Sequence, residues 1–591
     1  MYKENEKSAV PTKTYATPTP AAPVAALPGA GRGTWQSALL ALLGAGLLWA
    51  GWPVHPAPLA LLLLVAWVPY LWLEDGLTRQ GASGWKVWAY SYLLLVLWNL
   101  FTTYWVSYST VGGGVTAVVA NALLMSLPLT AFRLTKQRLG PRVGYVALPI
   151  YWIAFEQLHL HWFLTWPWLT LGNGFAQANQ LVQWYEYTGF LGGSVWSWTV
   201  NILVFLSVKK YQLKIKDDAV STGNQNDVNQ KRQFLITALA ASLAVLLPIG
   251  ISLLIGHSYQ EKGATAEVLV VQPNVDPYHE KFEGGSRFVS YDEQLSRLLT
   301  LTEQNLTPQT KLVLWPETSL DETYFEATIE TYPKIQRLRQ WLGQHPGVEL
   351  ITGLTTVQQY GPQKENASPT ARFRKDLGYY DLFNAALHLG GATAPAEFYH
   401  KSRLVPGVEG VPPWLSAFVI DLGGTAGGLG SQPERAVYRT QSPNLRVAPV
   451  ICYESVYGDF VRDYVKDGAT LIGIITNDGW WSDSPGHLQH LQYATLRAIE
   501  TRRDIARSAN TGISGFINQK GEITQQTGWW VPAVSRATVR LNTEETFYVR
   551  HGELIGPACQ VLAVLLLLGV LVVAVVGARR TRPVGRTANQ M

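Results

Sequence analysis

The chain has 591 residues, room for more than one structural unit, and only 15% of it is charged, against about 25% in an ordinary soluble domain. Hydrophobic residues reach 47%, with 23 Trp among them, yet mean hydropathy stays near zero at +0.05, so a membrane part is averaged with a water-facing part. A net charge of +5 is too small to mark a nucleic-acid binder, and two cysteines, Cys452 and Cys559, exclude a disulfide framework and any multi-cysteine metal centre.

Residues 1–34, rich in Pro, Ala and Thr, read as a disordered tail. Apolar runs long enough to span a bilayer follow near 35–52, 57–73, 85–106, 115–132, 144–165, 187–208 and 235–256, a seven-helix membrane unit over 35–256. Residues 257–550 have ordinary charge content and no spanning run. An eighth run at 554–577 lies in a last unit over 551–578, and 579–591 form a second tail.

Basic residues collect in alternate connections. Arg79 and Lys86 flank one; Arg133, Lys136, Arg138 and Arg142 occupy the next but one; Lys209, Lys210, Lys214, Lys216, Lys231 and Arg232 fill a third. Both tails add more, whereas 53–56, 107–114 and 166–186 contain no Lys or Arg. The positive-inside rule then puts both termini in the cytoplasm and 257–550 on the outer face. On that face the aromatic segment 161–169 reads as an interfacial belt anchoring a helix end, or as part of a lipid entrance beneath the outer domain.

Within 257–550, strand patterns at 267–272, 311–315, 349–354, 381–389, 397–400, 446–452, 470–476 and 513–518 alternate with helical ones at 288–305, 335–342, 457–465 and 487–503. This is an α/β layered domain. Residues 361–376 and the Gly-rich 423–430 read as exposed loops.

Three clusters carry chemistry. Val313-Leu314-Trp315-Pro316-Glu317 is an apolar strand stopped by Pro with a carboxylate after it. Tyr399-His400-Lys401 ends another strand in a lysine. Val447-Ala448-Pro449-Val450-Ile451-Cys452 ends a third in a cysteine and then turns toward a helix, a placement that holds a nucleophile out of a sheet. Taken singly, each could be a surface charge or a structural thiol; together in one domain they point to a nucleophile, a base and an oxyanion partner.

The three clusters resemble the Glu–Lys–Cys triad of the nitrilase (carbon–nitrogen hydrolase) superfamily, and the whole arrangement resembles the bacterial apolipoprotein N-acyltransferase family. That resemblance implies eight transmembrane helices in the inner membrane and a periplasmic α-β-β-α sandwich. It implies Glu317, Lys401 and Cys452 as catalytic, with Glu409, Asn384, Tyr453, Glu454 and Trp480 supporting them or binding substrate. Asn384 is carried over from Leu382-Phe383-Asn384-Ala385, and Trp480 from the 476–481 block followed by His487 to His490. Pro406-Gly407-Val408-Glu409 departs from the family's usual Pro-Phe-Gly-Glu, and the 1–34 tail and the 210–234 loop have no counterpart.

The implied reaction is ping-pong acyl transfer with no cofactor or metal. Cys452 takes an acyl chain from a phospholipid, and the N-terminal amine of a diacylated apolipoprotein receives it. A monomer is expected. A membrane-tethered amidase is the rival enzyme reading, and a lipid-binding scaffold with an inactive domain is the rival of another class. Seven preceding helices speak against the first and an intact triad against the second.

Overall fold

The computed structural model describes residues 34–218, 225–410 and 428–580. Most of the N-terminal tail, 219–224 of the basic loop, 423–427 of the Gly-rich run and 581–591 lie outside the described residues.

The membrane part comprises α1 (Thr34–Ala50), a 3-10 helix Ala57–Leu64 leading into α2 (Val68–Arg79), α3 (Gly84–Thr103), short α4 (Val106–Ser109), α5 (Val111–Leu139), α6 (Pro141–His161), short α7 (Tyr185–Thr188), α8 (Leu191–Asp218) and α9 (Gln225–Ser258). The water-facing part runs β1 (Ala264–Gln272), α10 (Tyr291–Glu303), β2 (Thr310–Leu314), β3 (Leu320–Phe325), α11 (Pro333–Gln344), β4 (Glu349–Gly361), β5 (Arg372–Arg374), β6 (Gly378–Leu389) and β7 (Ala396–His400). It continues with β8 (Tyr438–Arg439), β9 (Arg446–Ile451), α12 (Gly458–Lys466), β10 (Leu471–Thr476), α13 (Pro485–Thr501), β11 (Asp504–Ala509), β12 (Gly515–Ile517), β13 (Ile523–Thr524) and β14 (Ala533–Leu541). Short α14 (Phe547–His551) and α15 (Ile555–Arg580) complete the described chain.

All eight apolar runs lie on helices. Among the described residues, five stretches are long and apolar enough to cross a membrane: Ala57–Arg79, Val111–Leu139, Leu191–Gln212, Asn229–Ser258 and Ile555–Val576. Helix α1 is shorter, and α3 and α6 are diluted by aromatic and buried polar residues such as Asn99 and Glu156. The second run is not one continuous helix and extends past 73 to Arg79. Its break is satisfied from α8: the Trp67 amide donates to Asn201 Oδ1 (2.7 Å) and Asn201 Nδ2 donates to the Leu63 carbonyl (2.8 Å). Irregular backbone at membrane depth persists only where protein pairs it.

Two sheets form the water-facing part. One has the order β14–β1–β2–β4–β6–β5, with β3 beside β4 and β7 beside β6; the other has the order β13–β12–β11–β10–β9–β8. β1, β2 and β4 pair in parallel, as do β9, β10 and β11. Strands buried on both faces read as continuous apolar runs. In β1 and β2, Val268, Val270, Leu312 and Leu314 point into the core shared with the second sheet. Their alternates Leu269, Val271 and Val313 point to α10 and α11 through Leu295, Leu298 and Leu338. The far face of the second sheet packs on α12 and α13, giving α-β-β-α layers.

Several boundaries differ from the periodicity. The 487–503 helix stops at Thr501, because Arg502 is left-handed (φ 50°) and Asp504 opens β11. The 349–354 strand runs on to Gly361, and the 361–376 loop carries β5.

The core has no seam at the membrane. Val447, Ile472, Leu491 and Ile499 belong to the same buried cluster as Trp52, Trp98 and Trp198 of the bundle. Helix α13 is bonded to the bundle along its length: Gln489 Nε2 to the Thr102 carbonyl (2.8 Å), Tyr493 hydroxyl to the Trp168 carbonyl (2.6 Å), Thr495 Oγ1 to the Ala176 carbonyl (2.9 Å) and the Phe190 amide to Glu500 Oε1 (2.9 Å). Trp168, read from sequence as part of an interfacial belt, is buried against Trp105, Trp481 and Tyr493 in this junction.

Candidate active site

The ends of β2, β7, β9 and β10 meet at one edge of the sandwich. After β2, Pro316 stops the ladder and Thr318 turns back with φ 50°, aiming Glu317 inward. This loop lies directly on Gly353: a Cβ there would stand 2.5 Å from the Thr318 nitrogen and 2.6 Å from Glu317 Cα, so no larger residue fits. The Lys401 amide donates to the Asn384 carbonyl (2.8 Å), which sets the end of β7 beside β6.

Two donors and two acceptors then interlock. Lys401 Nζ lies 3.0 Å from Glu317 Oε1 and 2.8 Å from Glu409 Oε1. Asn384 Nδ2 donates to the same two oxygens at 2.7 and 3.0 Å. The second oxygen of Glu317 accepts the Asn477 amide (3.1 Å), and that of Glu409 accepts the Val405 amide (2.9 Å). All four side chains are buried. Burial works against the Lys401 ammonium, but Glu317 and Glu409 outweigh it and hold the group charged, well above its ordinary range.

Cys452 follows β9 in the left-handed conformation (φ 51°), which non-glycine residues seldom adopt, and opens a tight turn into α12. Burial pushes its thiol well up and the charge of Glu317 adds to this, while Lys401 pulls the other way. The thiol thus lies within electrostatic reach of a carboxylate and a cation. Beneath the turn, His490 Nε2 lies 3.0 Å from the Cys452 carbonyl, Ser455 Oγ donates to the same carbonyl (2.8 Å), and Asp478 joins His490 to Arg507.

The remaining sequence candidates have distinct places. Glu454 accepts from the Ile451, Ser402 and Arg403 amides (2.8, 2.7 and 3.2 Å) and from the Tyr399 hydroxyl (2.7 Å), tying the cysteine turn to the lysine segment. Tyr453 turns away from the carboxylates; its hydroxyl donates to the Thr165 carbonyl (3.1 Å). Trp480 is half-buried, stacks on Phe282, and takes bonds at its carbonyl from Ser109 and Tyr278.

Sequence reasoning missed Arg507, which no motif marks, and Lys281. Lys281 donates to the Thr318 carbonyl (2.6 Å), pairs with Asp321 (3.0 Å), and so braces the loop carrying Glu317. No cluster of metal-binding side chains occurs among the described residues.

A carbon–nitrogen hydrolase-type sandwich built onto membrane-spanning helices defines the class: a membrane-bound enzyme of the nitrilase superfamily. Residues 44–203 match the apolipoprotein N-acyltransferase N-terminal domain, and residues 284–548 match the carbon–nitrogen hydrolase family. The chain is 30% identical over 533 residues to the apolipoprotein N-acyltransferase of Chlorobaculum tepidum, covering 88% of this chain and 93% of that protein. It is 24% identical over 487 residues to the Geobacter metallireducens protein of the same name, covering 80% and 82%. Among solved structures it is similar to Saccharomyces cerevisiae Nit3 of the nitrilase superfamily, at 16% identity and TM-score 0.33, over 50% of this chain and 96% of that one. The chain belongs to the apolipoprotein N-acyltransferase family.

Proposed function

We propose that this protein acylates the N-terminal amine of S-diacylglyceryl-cysteine in bacterial apolipoproteins, with a membrane phospholipid as acyl donor. Glu317 takes the proton of the Cys452 thiol as sulfur attacks an ester carbonyl of the phospholipid. Lys401 stabilises the oxyanion. Collapse of the tetrahedral intermediate expels the glycerol oxygen, which recovers the proton from Glu317, leaving a lysophospholipid and a Cys452 thioester. The lipoprotein amine attacks that thioester, Glu317 removes the amine proton, and the thiol leaves with an amide formed. Glu409 and Asn384 hold Lys401 and Glu317 in register, while Glu454 positions the turn.

The observation that carries this reading is the Lys401 bridge between two buried carboxylates beside a left-handed Cys452, in a domain whose helix α13 is bonded along its length to a membrane bundle. A soluble amide substrate requires no such attachment. The alternating basic connections support an inner-membrane protein with residues 257–550 in the periplasm and both termini cytoplasmic.

Intact-protein mass spectrometry of the detergent-purified enzyme with phospholipid tests it. The wild type should gain one acyl chain that hydroxylamine removes, and Cys452→Ala should gain none, with turnover down about 10⁴-fold or more. Transfer of the chain to a diacylated lipopeptide rather than to water separates the transferase from an amidase. An adduct on Cys452→Ala, or none on the wild type, would defeat the proposal.

A further inference from the structure

At the other end of the bundle lies a pocket that this chemistry does not use. Helix α3 carries Thr102, which contacts the catalytic domain, near its C-terminus, and begins at Gly84; at 1.5 Å per residue this places Gly84 about 27 Å away. Between the start of α3, the C-terminal half of α5 and Tyr70 of α2 is a cavity of about 290 Å³.

Arg133 reaches into it. One guanidinium nitrogen donates to the Ala82 carbonyl (3.2 Å), while its Nε is buried and has no partner. Among the described residues no carboxylate pairs with it, because the nearby Glu74 and Asp75 are held by Lys136 (2.5 Å) and Lys209 (2.7 Å). Gly84 makes the room: a Cβ there would stand 2.8 Å from the Arg133 guanidinium. The guanidinium thus lies against the first turn of α3, where the Ser83 hydroxyl caps the Lys86 amide (3.2 Å) and the Gly84 and Trp85 amides have no partner within the helix, and exposed Lys86 is in that turn. Beside it, Trp85 is 73% exposed and stacks on Trp88 (4.5 Å between rings), with Leu129 completing an apolar wall.

A cation with unused hydrogen-bonding capacity, a helix start and a lipid-facing aromatic wall form a site for a phosphate that carries acyl chains. We infer that this pocket binds an anionic phospholipid of the leaflet opposite the catalytic domain, its phosphate on Arg133 and its chains along Trp85 and Trp88. Anionic lipid is favoured over zwitterionic because Lys86 adds a second positive charge, and the nearby acids Glu74 and Asp75 are already paired with Lys136 and Lys209 and so not free for an ammonium head group.

The test is native mass spectrometry of the full chain in detergent, titrated with dioleoyl phosphatidylglycerol, dioleoyl phosphatidylethanolamine or glycerol 3-phosphate. The wild type should retain one phosphatidylglycerol about tenfold more tightly than phosphatidylethanolamine, and Arg133→Gln should abolish that preference. Trp85→Ala, at an exposed position that leaves the fold intact, should weaken both lipids. Phosphatidylglycerol held equally by the wild type and both variants would overturn the inference. So would its displacement by glycerol 3-phosphate at comparable concentration, which would make the pocket a site for free anions. Should Arg133→Gln fail to fold, unchanged lipid retention by Trp85→Ala overturns it alone.

Discussion

Glu317 and Glu409 share two side-chain hydrogen-bond donors: Lys401 Nζ and Asn384 Nδ2 each bond the Oε1 atoms of the two carboxylates, at 2.7 to 3.0 Å. One cation therefore serves two buried anions, and the base role proposed for Glu317 depends on it.

Lys401→Met should leave two facing carboxylates with one shared side-chain donor, the Asn384 amide, and no cation between them. Breaking a buried pair in this way costs about 3–5 kcal/mol, and acylation of Cys452 should fall about 10²- to 10³-fold. Adding Glu409→Gln to that variant should recover most of the thermal stability but not the rate. Differential scanning fluorimetry and the rate of acyl-adduct formation check the two halves separately.

Glu454→Gln keeps the shape of a side chain that accepts four hydrogen bonds but turns one acceptor end into a donor facing amide N–H groups. The expected cost is about 2–3 kcal/mol with a roughly tenfold or larger loss of acylation rate, since the Lys401 and Cys452 segments lose their shared tie. Tyr399→Phe removes one bond of the four and should cost about 1 kcal/mol.

Burial pushes the Asp504 carboxyl up to about 7, only partly offset by the Arg540 amide, and one of its oxygens has no partner. A folded-state value above the unfolded one means the group favours folding below about pH 4 and loses that contribution as pH rises toward 7. Asp504→Asn should therefore stabilise the protein at pH 8 by about 2–4 kcal/mol, with the gain shrinking toward pH 5. Melting curves of both proteins across that range provide the check.

Cys559 sits in α15, partly buried, far along the chain from the site. Cys559→Ala should change stability by no more than about 1 kcal/mol and leave acyl-adduct formation untouched. A large loss in the adduct assay would mean that a second thiol takes part.

Much of this site is legible in the chain because its groups stand just beyond apolar strands: Glu317 after β2, Lys401 after β7, Cys452 after β9. A strand end is a place where a side chain leaves the ladder, and a pattern of alternation marks it. Arg507 and Lys281 left no such mark, since a buried cation in a strand or loop looks like a surface one until its partners, Asp478 and Asp321, arrive from elsewhere. The interior of β11 reads as polar for the same reason. The break at Val65–Trp67 was hidden too, because its hydrogen-bond partner Asn201 lies 134 residues on. Trp168 carried the signature of a bilayer-interface residue, and only packing against Trp105 and Trp481 shows it to be interior.

The bond from the Tyr453 hydroxyl to the Thr165 carbonyl joins the residue after Cys452 to the chain just beyond α6. For the transfer proposed above, the sulfur then works as a depth gauge, its height above the bilayer set by the helix bundle and not by a flexible tether. Ester bonds lie at nearly one level in every diacyl glycerophospholipid, whatever head group projects above or chain length extends below. A nucleophile pinned to that level selects a position in the membrane before it selects a molecule.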